Sequence, residues 1–204
     1  MDAKRPLAVV TPTLDGDVLA VLSQSDATFT TGQLHRMLPQ VSEDGIRKAL
    51  RRLCAQGIVL SEKAGNAYLY RFNRDHLAAG PILELARQRA TLLSRIEERL
   101  KTWRFPPMYA AVFGSMAEGT AGVGSDVDLL LVRPDDSPDD EWDAQVADLT
   151  VNISKWTGND ARPIEFSVGD LSARREERLF AEVLAKGLTV CGQRAWLQRR
   201  IGAK

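Results

Sequence analysis

The feature that most constrains this chain is a single break, Phe105-Pro106-Pro107. Proline cannot continue a helix, and it restrains the residue before it. Before the break, apolar residues recur mainly at helical spacing. After it, short apolar runs alternate with helical ones, which is a β/α pattern. A chain of 204 residues has room for two small domains. The expected organisation is a first domain over 1–77, a linker helix over 78–105 and a second domain over 106–204. Together these predict an α+β protein.

Composition narrows the classes. Lysine plus arginine number 27 and aspartate plus glutamate 27, so the whole-chain charge does not argue for nucleic acid. A basic patch can still sit inside a neutral total. Cys54 and Cys191 stand among apolar residues and read as buried, reduced thiols of a cytoplasmic protein. They form no CxxC pair, so no zinc site is offered. The apolar run after Lys4 and Arg5 is cut by Pro12 and followed by Asp15 and Asp17. It is neither a signal peptide nor a membrane span.

In the first domain, Val18, Leu19 and Leu22 predict a helix from about Asp15 to Ser25. Thr30 or Thr31 is placed to cap a second helix that Pro39 ends. Ser42 caps a third, with Ile46, Leu50 and Leu53 on one face. Two β-rich runs around Gly65-Asn66 then predict a hairpin. Three helices followed by a hairpin resemble the winged helix-turn-helix modules of repressors. That resemblance makes the third helix a DNA reader. Arg47, Lys48, Arg51 and Arg52 are its candidate contacts, with Arg71 near the wing reaching phosphate. Apolar spacing from Pro81 to Trp103 predicts one long helix, a spacer or a seam for a homodimer.

The second domain holds the chemistry. A strand over Tyr109–Phe113 ends at Gly114, where a backbone without Cβ lets a phosphate approach. Ser115 adds a hydroxyl and a main-chain N–H. The chain returns through Gly119, Gly122 and Gly124 to Ser125 and a strand carrying Asp126 and Asp128. Two residues apart on a strand, these aspartates share a face, with Cα atoms roughly 6.6 Å apart. Unpaired carboxylates about 5 Å apart repel by roughly 3 kcal/mol at an effective dielectric near ~20. A divalent ion with a taste for oxygen ligands, Mg²⁺ or Mn²⁺, reverses the sign. A metal beside a phosphate-binding backbone implies a nucleoside triphosphate. Further on, Glu165 lies between apolar Ile164 and Phe166. It is the candidate third acid, able to hold a second metal and to help deprotonate an acceptor hydroxyl. Asp170 reads as a helix cap, and His35 and His76 as residues without chemistry.

The stretch resembles the polymerase-beta-like nucleotidyltransferase signature: Gly-Ser, ten residues, then Asp-x-Asp. Here these are Gly114-Ser115, Met116 through Ser125, and Asp126-Val127-Asp128. It is most similar to the minimal nucleotidyltransferases, over about Tyr109 to Gly192. It departs from them at Met116 and Glu118, where members often carry arginine, and at Glu165, where aspartate is more usual. The resemblance implies that Gly114, Ser115 and Ser125 bind the nucleotide, and that Asp126, Asp128 and Glu165 bind metal and carry catalysis. The implied reaction moves a nucleoside monophosphate, AMP from ATP, to an acceptor hydroxyl. By analogy, the acceptor belongs to a partner such as the toxin of a toxin–antitoxin pair. The other reading is a DNA-binding transcriptional regulator whose transferase domain senses nucleotide or is inactive.

Overall fold

Side-chain caps decide where two of the first helices begin. The computed structural model describes residues 1–173 and 178–202. After a short 3-10 turn at Pro6–Val9 comes α1 (Leu14–Leu22). Thr30 starts α2 (Thr31–Met37): its side chain accepts from the Gln33 N–H, while the Gln33 side chain accepts from the Thr30 N–H. Ser42 starts α3 (Glu43–Ala55) by accepting from the Gly45 N–H at 3.1 Å. Ile46, Ala49, Leu50 and Leu53 of α3 are buried. Full burial of a Leu or Ile side chain is worth about 1.5–3 kcal/mol, so this face holds α3 in place. The hairpin follows as β1 (Val59–Ala64) and β2 (Ala67–Phe72), paired antiparallel. One pairing was not expected: Phe29, ahead of α2, bridges to Tyr70 of β2.

The long helix expected over Pro81–Trp103 is two helices. α4 (Ala79–Ala86) ends at Arg87, and α5 (Gln88–Lys101) begins at once. The apolar positions answer to two different cores. Ile82, Leu83, Leu85 and Ala86 pack with the α1–α3 core. Leu92, Ile96 and Leu100 are buried in the next one. The apolar positions of both helices thus pack inside the chain, those of α4 only partly buried. The division between compact units falls at the same place: Lys4–Gln88 with Asp2 form one, and the chain from Arg89 onward with Met1 and Ala3 forms the other.

The second unit contains β3 (Tyr109–Phe113), α6 (Gly114–Glu118), β4 (Val127–Arg133), α7 (Asp139–Thr157) and β5 (Ala161–Ser167). It continues with α8 (Val168–Ala173), α9 (Arg178–Lys186), β6 (Leu188–Cys191) and α10 (Arg194–Ile201). By sequence, Leu171 to Lys186 also reads mainly as helix and Arg194 to Lys204 as a tail helix; both fall partly outside the described residues. The sheet order is β5-β4-β3-β6, with β4 and β5 parallel and the other pairs antiparallel. Central strands covered on both faces need continuous apolar sequence, and Tyr109–Phe113 and Leu129–Val132 supply it. Ala110, Val112, Leu129 and Leu131 pack towards α5 and α7. There Trp103 meets Trp142 edge-on at 5.3 Å. Tyr109, Ala111, Phe113, Leu130, Val132 and Phe166 pack towards α8, α9 and α10 on the other face. Ser167, and not the expected Asp170, caps α8: its Oγ accepts from the Asp170 N–H, while the Asp170 carboxylate in the first turn accepts back from the Ser167 N–H and hydroxyl. Cys54 and Cys191 are free, half-buried thiols, both pushed up in pKa by burial. No helix among the described residues is long and apolar enough to cross a membrane.

Candidate active site

Strand pairing assembles the site. Phe113 of β3 lies opposite Asp128 of β4, so the backbone turning at Gly114 comes directly against that aspartate. Gly114 has φ +64°, and a Cβ there would stand 2.5 Å from Asp128 Oδ2. Only glycine allows both the turn and the approach. Ser115, next in line, takes the Thr120 and Ala121 N–H groups on its carbonyl at 2.9 and 3.0 Å. This folds the return of the chain back over α6. The Ser115 hydroxyl has no partner among the described residues. Arg89 of α5 donates to the Ala117 carbonyl at 3.1 Å and closes the other end of α6.

The loop into Asp126 is tied by a residue that sequence reasoning missed. The Asn159 side-chain amide donates to the Gly122 carbonyl at 3.1 Å and the Ser125 carbonyl at 2.6 Å. Asn159 is 3% exposed. Ser125 Oγ accepts from the Gly122 N–H at 2.9 Å, so this expected nucleotide ligand shapes the loop with its side chain. In the sequence, Gly158-Asn159-Asp160 reads only as a turn, and nothing there marks the asparagine as a clamp. Asn159→Ala leaves those carbonyls without a buried donor. Such a loss costs about 1–3 kcal/mol. The variant is expected to melt several degrees lower and to bind Mg·ATP weakly; unchanged binding in a folded variant would remove Asn159 from the site's support.

Asp128 is on the α9 side of the sheet, the side of Leu130 and Val132, and Asp126, just ahead of β4, is close enough for its charge to act on it. Burial first, and the Asp126 charge second, hold the Asp128 carboxyl above the usual carboxylate range. Arg162 offsets this in part, while Glu182 of α9 adds to it. Asp126 Oδ2 is ion-paired to Arg162 Nη1 at 2.7 Å. Glu118 is drawn away to Lys186 at the end of α9, at 2.7 Å.

Glu165 is not brought to the aspartates. β5 runs parallel to β4 with Arg162 level with Asp128 and Glu165 level with Leu131. Odd and even positions of a strand face opposite ways. Glu165 therefore points to the α7 side, where it accepts from the Trp142 indole N–H at 2.5 Å. The expected trio of acids is a pair. Glu165→Gln is accordingly expected to keep nucleotide affinity within about twofold of wild type, since an amide oxygen can still accept from Trp142; calorimetry showing a large loss would reinstate it.

Residues 93–180 match the family model described as "Nucleotidyltransferase domain". The second unit carries a nucleotidyltransferase domain. The match begins inside α5, so most of that helix falls within it. No curated protein matches the chain. Among solved structures, the chain is similar to three toxin–antitoxin structures. One, solved with AMP-PNP, is 18% identical and is covered over 81% of its length by 54% of this chain, at a TM-score of 0.40. A mutant of the toxin–antitoxin MntA–HpeT is 14% identical, with 80% and 54% covered, at 0.39. A tri-AMPylated Shewanella oneidensis HEPN toxin in complex with MNT antitoxin is 14% identical, with 84% and 56% covered, at 0.37. Likenesses this distant carry no weight for function.

The bases expected to meet DNA sit in the other unit, largely beside acids. Arg47 pairs with Glu43 at 2.6 Å, Lys48 with Asp44 at 2.8 Å and Arg52 with Asp15 at 2.7 Å. Arg51 and Arg71 are exposed and form no ion pair among the described residues.

Proposed function

We propose that the nucleotidyltransferase domain moves AMP from Mg·ATP to an acceptor hydroxyl. The acceptor oxygen bonds to the α-phosphorus, the α–β phosphoanhydride bond breaks, and pyrophosphate leaves with its electron pair. The acceptor's proton passes to solvent or to a carboxylate of the pair. One observation carries the reading: the Gly114 backbone lies directly against the Asp128 carboxylate, and the Asp126 charge acts on that same carboxyl. That arrangement supports an anion-holding turn beside two carboxylates able to hold a metal. The donor set suits a hard divalent ion, because the Asp128 carboxyl is raised in pKa by burial and by its neighbour's charge. When bound, that ion neutralises charge on the phosphates. Gly114 and Ser115 would seat the triphosphate, with the free Ser115 hydroxyl as a donor. Ser125 would act by holding the loop. The resemblance to minimal nucleotidyltransferases supports ATP as donor and a hydroxyl of a partner protein in a cytoplasmic toxin–antitoxin pair as acceptor.

Calorimetry of ATP binding with and without Mg²⁺ tests this reading. Metal-dependent binding that Asp126→Asn weakens strongly is the expected result. A folded wild-type protein that binds no Mg·ATP would overturn it.

The Phe29–Tyr70 pairing favours a second reading for the first unit, because it adds a third strand segment to the hairpin as a winged helix requires. Arg51 and Arg71 would contact DNA phosphates. Exposed i,i+4 ion pairs are worth only a few tenths of a kcal/mol, so Arg47 and Lys48 can exchange theirs for phosphate. Binding that is insensitive to salt would exclude this role.

A further inference from the structure

We infer that Arg162 is the resident second cation of the transferase site, so that the domain holds one divalent ion where three carboxylates would hold two. The inference rests on the metal-binding reading of Asp126 and Asp128.

Register places the guanidinium there. Arg162 is the β5 residue level with Asp128, on the same face, and its Nη1 lies 2.7 Å from Asp126 Oδ2. The next β5 position on that face is Ile164, which brings no ligand. Glu165 faces the other way and is bonded to Trp142. Among the described residues, no group of three His, Cys, Asp or Glu side chains could hold a metal. Two ions held about 3.5–4 Å apart would leave one aspartate pair to ligate both. The charges suit one ion: two aspartates carry two negative charges, Arg162 returns one positive charge to them, and Glu182 of α9 acts on Asp128 without joining a metal-holding group of three among the described residues. Arginine keeps that charge at any working pH, and its planar fork fits carboxylate or phosphate oxygens. The Arg162 side chain is 66% exposed, against 27% for Asp126. It can therefore swing from the aspartate to an incoming phosphate without disturbing the core.

Mn²⁺ binding to the full chain, read by electron paramagnetic resonance with a non-hydrolysable ATP analogue, tests this. Wild type should bind one Mn²⁺ per chain, and Arg162→Asp two. Arg162→Gln should still bind one, and should bind Mn²⁺ without nucleotide about two- to fivefold more tightly, since a competing charge is gone. Two ions in wild type would overturn the inference and leave the metal-binding reading standing. So would unchanged affinity in Arg162→Gln, which supplies the test even if Arg162→Asp folds poorly. No ion in wild type would remove the metal-binding reading itself, and the inference with it.

Discussion

Asp128→Ala is expected to lower AMP transfer by on the order of 10³-fold or more while leaving the fold intact, because the charge stabilisation lost is the largest single contribution in such sites. The same position makes a prediction about pH. Burial, then the Asp126 charge, raise the Asp128 carboxyl in the folded protein. A carboxyl raised on folding binds its proton more tightly in the folded chain than in the unfolded one. It favours folding at low pH, and that benefit disappears as pH rises through the folded value. At neutral pH without metal, the charge is a liability. Asp128→Asn should therefore melt higher than wild type in metal-free buffer at pH 7, with the difference vanishing below the unfolded carboxylate range. Adding Mg²⁺ and ATP should reverse the order, since only wild type gains from binding. Thermal melts across pH, with and without Mg·ATP, check all three parts. A difference independent of pH would mean that the carboxylate is not strained by its surroundings.

Gly114→Ala should separate stability from binding. The residue has φ +64°, and an added Cβ would stand 2.5 Å from Asp128 Oδ2. A left-handed conformation costs a non-glycine residue roughly 1–2 kcal/mol. The contact is with the tip of a side chain, not with backbone, so the carboxylate gives way and the strand stays. The expected result is a melting point lower by a few degrees and Mg·ATP affinity lower by at least about tenfold. The binding loss should exceed what the fraction unfolded explains. A variant that loses the few degrees and keeps full affinity would show that the turn serves the fold alone.

Spacing made the aspartate pair legible. Asp126 and Asp128, two residues apart at the start of β4, stay near each other whatever the neighbouring strands do, and a Gly-Ser turn ten residues earlier ends the preceding strand. The third acid was not legible in the same way. Whether Glu165 or Arg162 faces the aspartates depends on the register of β5 against β4, and both parities of that strand mix polar with apolar residues. Ion pairing was legible in part: Glu43 and Asp44 stand four residues before Arg47 and Lys48 in α3, but only the fold brings the distant Asp15 to Arg52. Helical periodicity from Pro81 to Trp103 gave the right element type and the wrong count. A stripe of apolar residues does not say that its two halves serve different cores. Asn159 could not have been found: its role exists only because three loop carbonyls converge on it.

The edge-on stack of Trp103 on Trp142 has a practical consequence. All four tryptophans, Trp103, Trp142, Trp156 and Trp196, lie beyond Arg89, and the unit ending at Gln88 has none. Intrinsic fluorescence excited at the red edge thus watches one half of the molecule, while far-ultraviolet dichroism watches both. Superimposable denaturation curves from the two signals would mean that the halves unfold as one cooperative block; a displaced pair would give each half its own transition.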